Sequence, residues 1–129
     1  VDEKRELNRV SRRKPLEMRF YENLLKGRPN FVEVLISLGD IYTKKGLYRE
    51  GLAVDRKLAD LRPEDPIVHY NLACSLSLLG EVKEAMVYLK KAVLLGYDEF
   101  EYILKDPDLE NIRKLPGFDK FFNKLKIIK

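Results

Sequence analysis

An all-α fold of antiparallel helix pairs, stacked as a repeat array, is what this chain predicts, on three observations. Residues return at an interval of 34: Arg28 as Arg62, Pro29 as Pro63, Leu38 as Leu72, Gly46 as Gly80, Glu50 as Glu84 and Lys57 as Lys91. Between these markers the apolar residues fall at three- and four-residue helical spacing. No strand-like alternation stands between hairpin turn residues. A period of this length marks helical units that cannot bury an apolar face alone and stack to share one core.

The elements follow in order. Residues 1–14 hold six Lys/Arg against three Asp/Glu, with only Val1, Leu7 and Val10 apolar, so 1–15 reads as a charged arm or exposed helix. Leu16, Met18, Phe20, Tyr21, Leu24 and Leu25 give the next helix its apolar face. Gly27 is placed to cap it in a left-handed conformation, and Pro29 prevents continuation. A helix through Leu35, Leu38, Ile41 and Tyr42 stops near Gly46, and one from Tyr48 through Leu52, Leu58 and Leu61 ends at Pro63.

The pattern then repeats. Pro66 suits a first helical turn, and Tyr70, Leu72, Ala73, Leu76 and Leu79 carry that helix to Gly80. Ala85, Leu89, Ala92 and Leu95 mark the next, ended near Gly96. One or two turns over 100–105 precede Asp106-Pro107, and short helices are expected over 108–115 and 116–126. In the last one Phe118, Phe121, Phe122 and Leu125 share a face, with Lys120 and Lys124 opposite. Exposed phenylalanines would aggregate, so this helix is expected to fold back and cap the array.

Composition narrows the function. The 129 residues suffice for one domain. No apolar run approaches the roughly 18 residues that span a bilayer. No secretory leader opens the chain, although a start at Val1 leaves room for a removed targeting segment. Cys74 is alone, which excludes an internal disulfide and suits a reducing compartment; a cytoplasmic location is expected. One His and one Cys are too few soft ligands for an ordinary zinc site. No phosphate-binding glycine loop or nucleophile elbow is present, so no cofactor, metal or catalytic residue is expected. The net charge of +4 is uneven: residues 116–129 hold four Lys against one Asp, and the basic balance comes from the two ends.

Residues 32–99 resemble the tetratricopeptide repeat family. Leu35, Leu38, Gly39 and Tyr42 stand at the first unit's helix A positions, Gly51 at the small position early in helix B and Pro63 at the closing proline. Leu58 replaces a small residue late in that helix. The second unit offers His69, Leu72, Ala73 and Leu76, then Ala85, Leu89 and Ala92, with Tyr97 in place of the proline. The resemblance implies a right-handed superhelix with units over 32–65 and 66–99, a helix B-like half-unit over 16–31, and a degenerate third unit with a capping helix over 100–129. Gly39, Gly51, Ala73 and Ala85 are expected where helix axes pass closely.

The same resemblance implies a concave face lined by helix A. Its positions are Glu33, Ile36, Asp40, Thr43 and Lys44 in the first unit, and Ile67, Tyr70, Asn71, Cys74, Ser77 and Leu78 in the second. Ile36, Tyr70, Cys74 and Leu78 would be apolar groups free of intra-repeat packing, suited to a peptide or protein partner with an apolar anchor. The opposing reading is that a terminal segment of the chain covers this face. Some members clamp the carboxylate tails of chaperones with Lys and Asn. Asn71 matches that pattern and Lys105 could stand for its last basic residue, but Ile36, Asp40 and Glu101 fill the other places. Asp40 would repel a carboxylate, so such tails are not expected partners.

The expected role is a non-catalytic adaptor. His69 reads as a packed imidazole and Cys74 as a small packing group. Two alternatives remain open. Arg9, Arg12, Arg13 and Lys14, with the basic C-terminal end, could hold nucleic acid or an anionic surface; no aromatic residues interleave with them for base stacking, so nucleic acid is the weaker partner. Self-association through a repeat face is the other.

Overall fold

In a computed structural model of the chain, residues 14–128 are described. Arg9, Arg12 and Arg13 lie outside them. The described residues form eight α-helices and one 3-10 turn: α1 (Leu16–Gly27), α2 (Val32–Lys44), α3 (Tyr48–Leu61), α4 (Pro66–Leu78), α5 (Val82–Leu94), α6 (Phe100–Ile103), the 3-10 turn Pro107–Leu109, α7 (Glu110–Arg113) and α8 (Phe118–Ile128). The helices from α1 to α5 each pack on the next. The class is all-α, as the period and spacing predict.

The turns carry the period. Gly46, Gly80 and Gly96 have positive φ, at 76°, 80° and 119°. In each case the following amide reaches back to the helix: Leu47 N to Tyr42 O, Glu81 N to Leu76 O and Tyr97 N to Ala92 O, at 2.8–2.9 Å. This is a glycine-dependent helix stop, because a left-handed residue lets the next N–H satisfy a carbonyl left unpaired at the helix end. The other turn type also recurs, with Arg28 N to Leu24 O and Arg62 N to Leu58 O. Gly27 departs from expectation. It is the last residue of α1 and is not left-handed; the chain leaves through Arg28 at φ −137°, and Pro29 ends the helix without a glycine cap.

Close crossings fall at the small residues. A Cβ on Gly39 would stand 3.2 Å from Val54 Cγ1, and one on Gly51 3.2 Å from Thr43 Oγ1. Ala73 and Ala85 are fully buried. Leu58, large where the family has a small residue, is accommodated in the first core beside Leu35, Leu38 and Val68.

Two apolar clusters result. The first gathers Met18 of α1 with α2, α3 and Val68 of α4. The second joins α4 and α5 to the closing segment through Ile103, Leu109, Ile112, Phe118, Phe122 and Leu125. Polar contacts fasten that segment: Asn111 Nδ2 donates to Ser77 O at 2.8 Å, and Arg113 Nη1 donates to Ile103 O and Asp106 O at 2.9 and 2.7 Å. The helix expected over 108–115 is split, because Asp106 accepts from Asp108 N and Pro107 starts a tight 3-10 turn before α7. The last helix starts at Phe118 rather than Pro116.

Candidate functional site

Helices α2 and α4, with the closing segment, enclose a groove of about 520 Å³. Seven of the expected residues meet there: Ile36, Asp40, Thr43, Ile67, Tyr70, Asn71 and Cys74. Glu33 and Leu78 do not line it, and Lys44 pairs with Asp40 at 2.9 Å on the exposed rim. Ser77 is fully buried, with its carbonyl taken by Asn111 and its hydroxyl without a partner among the described residues.

Tyr70 and Cys74 do not stand free. Tyr70 is only 5% exposed, and its ring stacks on Tyr97 with centroids 4.1 Å apart and planes 6° from parallel. Its hydroxyl donates to Asp106 of the closing segment. Cys74 Sγ lies 3.7 Å from the same carboxylate. Burial, with Asp106 beside it, pushes the Cys74 thiol well above its ordinary range, so it stays protonated and unreactive. The stretch from Tyr97 to Leu109 thus covers one end of the face that helix A positions alone would leave open.

What remains open is apolar and acidic. Ile36 and Ile67 are 51% and 54% exposed, and Tyr102 of α6 joins them. Five aspartates line the groove, Asp40, Asp55, Asp65, Asp106 and Asp108, and among the described residues no Lys, Arg or His does. Two of them are structural. Asp65 caps α4 by accepting from Ile67 N and Val68 N at 2.9 and 3.4 Å, with Pro66 in the first turn. Asp106 does the same for the 3-10 turn.

Asp55 is more unusual, being a buried acid on α3 that accepts from the Ser75 hydroxyl. Burial raises its carboxyl from 3.8 to about 6, against the lowering effect of that hydrogen bond. Burial and neighbouring Asp106 also raise Asp108.

Cys74, Asp106 and Asp108 place their ligand-type atoms within 4.8 Å of one another. They do not make a convincing metal centre. Asp106 already accepts from Tyr70, Cys74 and Asp108 N, and a protonated thiol is a poor ligand. His69 is buried, donates through Nε2 to Pro63 O at 2.7 Å and stacks on Tyr88, which makes it a packing residue.

Ser37, Asp55, Asp65, Tyr102, Asp106 and Asp108 escaped the sequence reading. A signal existed for three of them. Asp65-Pro66 and Asp106-Pro107 are the same capping dipeptide, and Asp55 falls in register with buried Gly51, Val54 and Leu58.

Among the described residues no helix is long and apolar enough to cross a membrane. Residues 67–95 match the family model described as tetratricopeptide repeat. A curated relative from Arabidopsis thaliana, named as a chloroplastic protein, is 36% identical over 81 residues, a stretch that is 60% of this chain and 24% of the relative. The chain therefore spans about a quarter of the length of that curated relative.

Proposed function

We propose that this chain, which carries a tetratricopeptide repeat match over residues 67–95 in a family whose repeats generally mediate protein–protein interaction, is a non-catalytic adaptor holding a basic, apolar-anchored segment of a protein partner in the concave groove. One observation carries the reading: two half-exposed isoleucines stand in a groove walled by aspartates, with no basic side chain lining it among the described residues. An aliphatic or aromatic anchor would cover Ile36, Ile67 and Tyr102, while Lys or Arg on either side would meet Asp108 and compete with Lys44 for Asp40. Burial of the anchor supplies most of the affinity, and the charges supply selection. The units over 32–65 and 66–99 provide the two helix A faces, and the segment after Tyr97 closes one end.

The test is a peptide array of basic, neutral and acidic sequences, each with and without an aliphatic anchor. It is probed with the wild-type chain and with an Ile36→Lys, Ile67→Lys double variant. Both residues are exposed, so the variant keeps its melting temperature. Basic anchored peptides should bind the wild type and lose roughly tenfold or more in affinity to the variant. Equal binding to both proteins contradicts the groove. For location, the relative's name places that protein in the chloroplast, which favours a plastid over the cytoplasm for this chain; an import assay with the complete gene product decides.

A further inference from the structure

A second groove, of about 550 Å³, lies between α5 and α8 at the opposite end of the array from α1. Its floor is Val93, Leu94 and Phe121, and its rim is Lys90, Lys120 and Lys124. Among the described residues no acidic one lines it. Val93 and Phe121 are half-buried and form the recessed part of the lining, whereas Leu94 stands 86% exposed beside them. Lys120 and Lys124 stand one turn apart on α8, and the Lys90 ammonium lies 5.8 Å from the Phe121 ring centroid. None of the three lysines belongs to an ion pair among the described residues. Glu84 of α5 pairs with Arg56 of α3, and neither Asp98 nor Asp119 is in the lining.

We infer that this groove is a second docking site, for an acidic protein segment carrying an apolar side chain. The apolar residue would seat on Val93, Leu94 and Phe121, and Asp or Glu around it would meet the three lysines. Charge complementarity selects the occupant, because Asp or Glu would pair with the three rim lysines whereas a basic segment would be repelled by them. The recess at Val93 and Phe121 favours a side chain reaching into a cleft over a flat lipid surface. The site shares no lining residue with the concave groove and stands independently of it.

The experiment is selection from a randomised peptide-display library on the wild-type chain, with counter-selection on a Lys120→Glu, Lys124→Glu variant. All three rim lysines are exposed, and a Lys90→Gln variant gives a second, milder probe. Selected peptides should place Asp or Glu around Leu, Ile or Phe. Their affinity should fall roughly tenfold or more in the glutamate variant and decline as salt rises. The Ile36→Lys, Ile67→Lys variant should bind them as the wild type does. The inference is overturned if no acidic sequence is enriched or if the lysine variants bind unchanged. It is equally overturned if the lysines prove to serve vesicles of anionic phospholipid, or a concentration-dependent dimer, while the selection stays empty.

Discussion

The concave groove and the α5–α8 groove are similar in volume and opposite in sign. The first collects aspartates from α2, α3, the start of α4 and the closing segment; the second collects lysines from the last two long helices. Both have exposed apolar residues in their lining, Ile36 and Ile67 in one and Leu94 in the other. A net charge of +4 therefore conceals an uneven distribution in space. Lys90, Lys120 and Lys124 line one cleft, and five aspartates line the other. In a repeat array the packing positions are fixed by the stack, so selectivity is written into the remaining faces.

The sharpest way to break the comparison is at the end groove. Phe122 is buried in the second core and stacks on Phe118. Phe122→Ala should cost about 3–5 kcal/mol in a urea melt, by lost burial and a residual cavity. It should abolish binding of acidic peptides, and an unchanged melt would mean that α8 does not close the array.

Next is the closure of the concave groove. Asp106→Ala strands the Tyr70 hydroxyl and the Cys74 thiol and uncaps the 3-10 turn. The expected loss is about 2–3 kcal/mol, together with faster alkylation of Cys74. A thiol still protected from alkylation would show that apolar packing alone holds the segment down.

A pH experiment sharpens the acidic side. Asp55 has a folded value of about 6, raised above its ordinary 3.8. The folded state therefore holds this proton more tightly than the unfolded chain. That stabilisation is complete below 3.8 and is lost as pH rises through about 6. Asp55→Asn should remove a pH dependence on the order of 2 kcal/mol between those limits and melt higher than wild type at neutral pH. Parallel pH profiles for the two proteins would exclude Asp55 as the cause. Smallest of all is Lys44→Ala. Its pair with Asp40 is exposed on both sides, so no measurable change in stability is expected by calorimetry.

Much of the fold was legible because its determinants are local. Gly46 and Gly80 stop α2 and α4 through the same backbone geometry, and Gly39 and Gly51 are small because a neighbouring helix stands within 3.2 Å of an added Cβ. Gly27 was misread because Pro29 can end α1 without a left-handed residue. The concave site was only half legible. Tyr70, Cys74 and Ser77 lie on an open face only where nothing crosses it, and the opposing reading, a segment of the chain over this face, holds at one end: Asp106 lies 36 residues from Tyr70 and breaks the repeat. Contacts of such separation leave no periodic trace. The lysine groove was hidden for a different reason: Lys120 and Lys124 read as the solvated side of an amphipathic helix, and only the approach of α5 turns that side into a cleft.

The most direct test of two opposite, independent sites is methyl NMR with a basic and an acidic peptide, each carrying a leucine anchor. The basic peptide should shift the methyls of Ile36 and Ile67 and leave those of Val93 and Leu94 in place; the acidic peptide should do the reverse, and each should still bind in the presence of the other. Contradiction would be a common set of methyls moved by both peptides, or an acidic peptide that moves Ile36 and Ile67.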